Sequence, residues 1–340
     1  MSERRASRIS TDIDYERDGK QSSWLKVPNS RDDSGWGTLL MPITVIKNGA
    51  GPTLLFTAAN HGDEYEGPVA LMKLARALEP AEVAGRVIIL PALNLPALMA
   101  GKRLSPIDGK NMNRSFPGSA DGTITSMVAD YVYTELVARA DAVADLHSGG
   151  YSMKFLPAVM MHYLDDAELE RRTLAALKAF GAPVALMIEE LDTEGMLDTA
   201  VEELGKVFLG TELGGGAVLS PETVGIAELG VRNLLKHFGI VEGEVVRPEA
   251  EGRAPGRLME TPDSRYFVIA TSGGLYEPFV EVGEEVEAGA AVGQIHFVED
   301  PGREPDLKTV ERAGLLITRR APGRVARGDL VAMVARDLEG

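Results

Sequence analysis

Short apolar runs alternate with amphipathic segments from about residue 39 to about residue 237. The apolar runs are typical of buried strands, and they cover 39–49, 53–59, 86–94, 141–147, 157–164 and 206–212. Between them, apolar residues recur at helical spacing in the segments 68–80, 123–140, 166–180 and 220–237. Strands that alternate with helices predict an α/β fold with a mixed, largely parallel sheet and helices on both of its faces.

The chain divides into three parts by pattern. Residues 1–38 precede the alternation as an N-terminal arm, and its first 20 residues, charged and without period, are expected to be loosely held. Residues 39–245 form the main domain. Residues 246–340 follow a charged, Pro/Gly-rich joint and show short strands with tight turns, which predicts a C-terminal β-domain. It is similar to the half-barrel of lipoyl and biotinyl carriers but has no lysine at the hairpin tip, so we expect a lid or an oligomerisation surface.

Composition narrows the class of partner. The 340 residues are 44% hydrophobic, which is enough apolar material for a large core. Their net charge of −16 would repel nucleic acid and an anionic membrane, so neither is expected as a partner. The chain has no cysteine, so any metal must be held by His and carboxylate ligands. Neither a signal-peptide pattern nor a run of about 18 apolar residues is present, and we expect a cytoplasmic protein.

The run from 53 to 67 carries the most specific chemistry. His61 and Glu64 stand three positions apart, after an apolar strand and before an amphipathic helix. An imidazole nitrogen and a carboxylate oxygen together suit zinc, which in catalytic sites takes three protein ligands and keeps a fourth position open. The alternative is a turn histidine beside a Glu that stabilises the positive end of the helix dipole.

A third ligand is expected at the end of another strand. His147 closes the strand 141–147, with Asp145 two residues earlier on the same side, where a carboxylate can orient a metal-bound imidazole. Glu212 ends a third apolar strand, where a carboxylate is costly to bury without a role, and a general base fits that position. The alternatives are a hydrogen-bonded core histidine and a Glu that reaches water at the sheet edge.

Two arginines lie in the Gly- and Asn-rich loop 101–118. Arg103 and Arg114 would ordinarily be solvated there. A hydrolase, however, needs a cation for a developing oxyanion and a guanidinium fork for a substrate carboxylate, and this loop supplies both. The remaining histidines, His162, His237 and His296, are assigned no role.

Four ordered motifs now identify a family resemblance. They are HGDE at 61–64, the block from Arg103 to Gly118 with Asn113 and Arg114, DLH at 145–147 and ELG at 212–214. In this order they resemble the motifs of the succinylglutamate desuccinylase and aspartoacylase family, which is related to zinc carboxypeptidases. Within the family, the segments 30–37, 61–68 and 211–216 look most like members that deacetylate Nα-acetyl-L-2,4-diaminobutyrate in ectoine degradation.

The resemblance implies a set of roles. His61, Glu64 and His147 would hold one zinc ion per chain, Glu212 would act as general base and then general acid, and Arg103 would stabilise the oxyanion. Asn113 and Arg114 would bind the α-carboxylate of a small N-acyl amino acid. The chain would then be a zinc-dependent amidohydrolase whose catalytic domain is 39–245, and a homo-oligomer is compatible with it.

One stretch departs from the members that cleave acylated dicarboxylic amino acids. Residues 188–205 contain no Lys or Arg and are rich in acids, so Glu190, Asp192 or Asp198 is a candidate partner for a substrate ammonium. An exposed acidic helix is the alternative. Competing functions are an aspartoacylase or desuccinylase, a metallocarboxypeptidase, and a non-catalytic binding module that keeps the fold.

Overall fold

A computed structural model describes residues 6–338 and places most of the strands in one large mixed sheet. The first ten strands are β1 (Ser10–Thr11), β2 (Gly19–Pro28), β3 (Thr38–Asn48), β4 (Thr53–Ala58), β5 (Gly85–Leu90), β6 (Ala142–Leu146), β7 (Met153–Phe155), β8 (Ala158–His162), β9 (Val184–Ile188) and β10 (Val207–Glu212). The helices are α1 (Glu66–Ala77), α2 (Leu95–Ala100), α3 (Ile124–Tyr131), α4 (Ala167–Phe180), α5 (Leu197–Glu202) and α6 (Pro221–His237). The strands and helices predicted for the main domain are confirmed, except that the segment 123–140 is α-helical only to Tyr131 and continues as a π-helix (Val132–Leu136) and a 3-10 turn (Val137–Arg139).

The strands of the C-terminal region are shorter. They are β11 (Arg257–Thr261), β12 (Phe267–Ile269), β13 (Gly274–Pro278), β14 (Glu285–Val286), β15 (Ala291–His296), β16 (Asp306–Thr309), β17 (Gly314–Arg320), β18 (Arg324–Val325) and β19 (Leu330–Asp337). A separate antiparallel sheet has the order β16-β15-β13-β18, as predicted for a small β unit. The division at residues 38 and 245 stays a prediction.

The order of the large sheet sets the position of each strand end. It runs β1-β2-β3-β5-β4-β6-β10-β8-β9-β11-β19-β17-β14. The neighbours β5, β4, β6 and β10 are parallel, so their carboxyl ends meet at one edge. The next strand, β8, is antiparallel to β10, and β9 and β11 are parallel to β8. The predicted mixed sheet with flanking helices is confirmed.

Side-chain alternation along β4 builds two cores. Leu54 and Phe56 pack on one face of the sheet with apolar residues of α1, α4 and α6. Leu55 points to the other face, where α3, α5 and the N-terminal residues cover it. Because both faces are buried, β4 has buried residues along its whole length, which accounts for its unbroken apolar sequence.

The N-terminal segment is held more firmly than the sequence predicts. Ile9, Ile13 and Tyr15 are buried, and β2 pairs with β3 from Gly19 to Pro28. The expectation of a loosely held segment is therefore wrong from residue 9 onward, because three widely spaced apolar side chains show no period yet reach the same core. Residues 1–5 lie outside the described part. Between residues 6 and 338, no helix has the length and apolar character needed to cross a bilayer.

Candidate metal centre

The turn between β4 and α1 holds the first two candidate ligands. His61 and Glu64 are both nearly fully buried, at 3% and 2% exposure. Gly62 between them allows a close approach of the backbone of α2, since a Cβ at this position would lie 1.9 Å from the carbonyl carbon of Ala97. The Gly62 amide also donates to the Lys102 carbonyl at 2.9 Å, and this hydrogen bond joins the turn to the loop 101–118. Packing thus fixes the direction of both side chains.

The three predicted ligands converge. His147 follows β6, the parallel neighbour of β4, so its side chain lies at the same sheet edge as His61. The Glu64 carboxylate lies between the two rings, with Oε1 at 2.7 Å from His61 Nδ1 and Oε2 at 2.8 Å from His147 Nδ1. One ligand atom from each residue lies within 4.8 Å of the others, a spacing at which the three can share a metal ion.

Outer hydrogen bonds orient both rings. Asp145 Oδ2 lies 2.9 Å from His147 Nε2, and Asn111 Oδ1 lies 3.1 Å from His61 Nε2. Asn111 Oδ1 also accepts from the Asn113 amide, which identifies it as the oxygen. Both acceptors favour a proton on Nε2 and leave Nδ1 to face Glu64. With Nε2 protonated, each Nδ1 and the Glu64 oxygens can give electron pairs to one cation, so the donor set of two imidazoles and one carboxylate fits zinc.

Asp145 is held by a buried network. Its carboxylate accepts from Thr57 Oγ1 at 2.7 Å and from Asn60 Nδ2 at 2.9 Å, and the residue is fully buried. Burial opposes its ionisation, but His147 and these hydrogen bonds lower the pKa of Asp145. An ionised Asp145 therefore persists beside His147 and can fix the orientation of its ring.

The charges of the three candidate ligands are coupled. Burial opposes charge on Glu64, yet the two histidines lower its pKa. Burial lowers the pKa of His61. Burial also acts against a charged His147, but the carboxylates of Asp145 and Glu64 raise its pKa well above the usual value. The group is thus a buried carboxylate that attracts positive charge from both sides.

Glu212 lies at the end of β10, next to β6. Its Oε2 is buried and has no hydrogen-bond partner in the described structure. Burial, and then the negative charge of Glu64, raise the pKa of Glu212 well above its usual value. A carboxylate with a raised pKa and a free oxygen at the same sheet edge as the candidate metal ligands has the properties of a general base.

Arg103 reaches the same group from the loop. Its Nη1 lies 3.3 Å from His61 Nδ1 and 3.8 Å from Glu64 Oε1, and half of the side chain is exposed. The guanidinium therefore faces the ligand cluster from the solvent side, where it can donate hydrogen bonds to an oxyanion.

Asn113 and Arg114 occupy different environments. Arg114 lines a cavity of about 450 Å³ together with Asn111, and its Nε donates to Asp192 Oδ2 at 3.1 Å. Asn113 is buried, and its Oδ1 accepts from Asn60 Nδ2 and from the Leu197 amide. The structure thus brings Arg114 to an open cavity and joins Asn113 to the network behind Asp145.

The three acids proposed as partners of a substrate ammonium lie in two different places. Asp192 pairs with Arg114, whereas Glu190 and Asp198 line a second cavity with His162.

Two asparagines that support the candidate ligand histidines, Asn111 and Asn60, are not indicated by the sequence analysis. The sequence features that could have indicated them are the asparagines of the loop 101–118 for Asn111 and the end of β4 for Asn60, since Asn side chains in turns commonly hydrogen-bond the nearby backbone.

Comparisons with known proteins found relatives over more than half of the chain. A model of the succinylglutamate desuccinylase/aspartoacylase catalytic domain matches residues 50–238. The chain is 46% identical to an N-alpha-acetyl-L-2,4-diaminobutyric acid deacetylase of Halomonas elongata, over 99% of this chain and 97% of that protein. A succinylglutamate desuccinylase/aspartoacylase of Rhodobacter sphaeroides superposes with a TM-score of 0.94 at 46% identity, covering 98% of this chain and all of that one. The product-bound ectoine utilization protein EutE of Ruegeria pomeroyi has a TM-score of 0.93 at 45% identity, over 98% and 99% of the two chains.

Proposed function

Because the chain belongs to the succinylglutamate desuccinylase/aspartoacylase family, we propose that it is a zinc-dependent deacetylase of Nα-acetyl-L-2,4-diaminobutyrate in ectoine degradation. The products are acetate and L-2,4-diaminobutyrate. The observation that carries the proposal is the convergence of His61, Glu64 and His147 at one sheet edge, with their ligand atoms within 4.8 Å. The Halomonas relative supports the choice of substrate, since it matches almost the whole chain.

His61, Glu64 and His147 hold one zinc ion in this proposal, and Asp145 and Asn111 orient the two rings. Zinc supplies Lewis acidity: it brings the pKa of water close to 7 and polarises a carbonyl oxygen. The cluster needs no further protein ligand, because a catalytic site with three ligands leaves room for the reactants.

Glu212 moves the proton. Its carboxylate takes a proton from the attacking water while the water oxygen bonds to the acetyl carbonyl carbon. Arg103 donates hydrogen bonds to the oxyanion that forms on the carbonyl oxygen. The C–N bond then breaks, and the proton on Glu212 passes to the departing amine nitrogen, which returns Glu212 to its ionised form. The raised pKa of Glu212 suits both halves of this exchange.

Arg114 binds the α-carboxylate of the substrate. Its guanidinium already pairs with one carboxylate, that of Asp192, which is exposed and therefore easily displaced by a substrate carboxylate. Asn113 helps from behind, because its backbone carbonyl accepts from Arg114 Nη1 at 2.7 Å and so restrains the fork.

Substrate profiling tests the proposal. We expect the zinc-loaded protein to hydrolyse Nα-acetyl-L-2,4-diaminobutyrate with a higher kcat/KM than Nα-acetyl-L-aspartate, the substrate expected of an aspartoacylase. Glu212→Gln should lower kcat by about 100-fold or more with unchanged zinc content, since it removes the general base. Glu222→Gln, an exposed position at the start of α6, is the matched control. Preference for the aspartate derivative, or turnover that survives metal removal, would contradict the proposal.

A further inference from the structure

A small cavity lies beneath α5, beside the proposed active site. Its volume is about 30 Å³, comparable to one water molecule. Four ionisable side chains meet there among apolar ones: His162 from the end of β8, Glu190 after β9, and Asp198 and Glu202 from α5. One ligand atom each from His162, Glu190 and Asp198 lies within 4.8 Å of the others. Nothing in the proposed reaction has so far used these four side chains.

The negative charge in this cavity exceeds the positive charge. His162 Nδ1 lies 2.8 Å from Glu202 Oε2, and Nε2 lies 3.7 Å from Glu190 Oε1. These two carboxylates raise the pKa of His162 to about 11 against the effect of burial, so the ring carries one positive charge. Three carboxylates therefore face a single imidazolium.

Two of the carboxylates are incompletely paired. Asp198 is only 8% exposed, and the hydrogen bonds it accepts come from its neighbour Thr199. Burial raises the pKa of Asp198 to about 6. Glu202 Oε1 is buried and has no hydrogen-bond partner in the described part of the chain. A buried carboxylate oxygen without a partner is costly, and a cation with several N–H donors would satisfy Glu202 Oε1 and pair with Asp198 as well.

The cavity is adjacent to the general base. Gly210 lines it, and Gly210 and Glu212 point to the same face of β10, about 7 Å apart along the strand. Because residue 210 has no side chain, nothing on this strand separates the cavity from Glu212. The segment that follows β9 also connects the cavity with the loop 101–118, where Arg114 is proposed to bind the substrate carboxylate. In this segment Asp192 pairs with Arg114, and the Leu197 amide donates to Asn113.

We propose that this cavity, lined by His162, Glu190, Asp198 and Glu202, receives the side-chain ammonium of the substrate. The inference rests on the proposed deacetylase function and adds the origin of its specificity. With the α-carboxylate on Arg114 and the scissile amide beside Glu212, a short aminoalkyl side chain points past Gly210. His162 holds Glu202 and Glu190 in place, and Asp198 and Glu202 accept the N–H groups of the ammonium.

Paired substrates test this assignment. Nα-acetyl-L-2,4-diaminobutyrate is compared with Nα-acetyl-L-norvaline, which has the same length and a methyl group in place of the ammonium. We expect the zinc-loaded enzyme to prefer the charged substrate, and Asp198→Asn to reduce that preference in kcat/KM about 10- to 100-fold, mainly through KM. Glu190→Gln should act in the same direction and provides a second variant. Glu203→Gln, on an exposed neighbour of Glu202, should leave the preference unchanged.

The outcomes separate the two proposals. An unchanged preference in both variants, with turnover retained, overturns the ammonium subsite and leaves the deacetylase function standing. Absence of turnover of either substrate by the zinc-loaded protein refutes the deacetylase function itself. Binding of two divalent ions per chain, with the second lost in Asp198→Asn, also overturns the inference and identifies the cavity as a metal site. A preference that falls in both variants but not in the control supports it.

Discussion

At the scale of single residues, the proposed metal site depends on acceptors behind the ligands. His147 and His61 each direct Nε2 toward an oxygen, that of Asp145 and that of Asn111, and each directs Nδ1 toward Glu64. A ring that lost its acceptor would gain a second orientation and a second tautomer. Because Asp145 is buried and ionised, it also raises the basicity of the ring that it orients.

Asp145→Asn tests this support. An amide at this position can still accept from Thr57 but no longer provides a carboxylate for His147 Nε2. We expect zinc affinity, measured by competition with a chelator, to fall by about 10- to 100-fold. Activity should recover in part when zinc is in excess. Wild-type affinity in this variant would show that the carboxylate behind His147 has no role in metal binding.

His162 gives a pH-dependent prediction. Its pKa is raised to about 11 in the folded state by Glu190 and Glu202, although burial acts in the opposite direction, and it is about 6.5 in the unfolded chain. A raised pKa stabilises the fold fully below pH 6.5, and this stabilisation is lost as the pH rises toward 11. The difference in unfolding free energy between wild type and His162→Gln should therefore be larger at pH 6 than at pH 9.5. A difference independent of pH would contradict the ion pairs.

At the scale of elements, apolar runs and helical spacing predicted β4, β6, β10, α1, α4 and α6, because these elements pack against the cores with a regular period. Because His61, His147 and Glu212 stand at or just after the ends of β4, β6 and β10, the same pattern also predicted that they lie at one edge of the sheet. The sequence pattern does not distinguish β9 as a separate strand, because its five apolar residues follow α4 after a short loop. Nor does the pattern predict the cavity at His162, because its side chains come from β8, from the segment after the parallel neighbour β9 and from α5, and these meet only in the folded chain.

The start of α6 can be predicted from the local sequence alone. Ser220 is the N-cap residue, its Oγ accepts from the Thr223 amide at 3.0 Å, and Pro221 is the first helical residue. Ser220→Ala removes this acceptor, and we expect the unfolding free energy to fall by about 1 kcal/mol. Ser30→Ala, in an exposed loop, is the control and should stay within about 0.5 kcal/mol of wild type. Equal stability of the two variants would exclude a capping role.

At the scale of the whole molecule, the C-terminal strands are continuous with the main sheet. β11 pairs with β9 on one side and β19 on the other, and β7, which follows the His147 turn, pairs with β17. Apolar residues from both regions, including Leu186, Met259 and Met333, pack together at this junction. The sheet that places His147 therefore extends into the C-terminal region, and we expect a ligand at the metal site to stabilise the chain as a unit.

Zinc binding should raise the stability of the folded protein. A ligand that binds only the native state at 1,000 times its Kd adds about 4 kcal/mol to the unfolding free energy. We expect Tm to rise on zinc addition to chelator-treated protein, and to rise much less in His147→Ala, which lacks one ligand. Equal shifts in the two proteins would mean that zinc binds elsewhere.

The proposed function depends above all on one zinc ion shared by His61, Glu64 and His147. Anomalous diffraction at the zinc absorption edge, from crystals of the zinc-loaded protein, locates that ion. We expect one strong peak per chain, about 2.0–2.2 Å from a nitrogen of each histidine and from a Glu64 oxygen. A peak at another position, or none in a crystal of active enzyme, would contradict it.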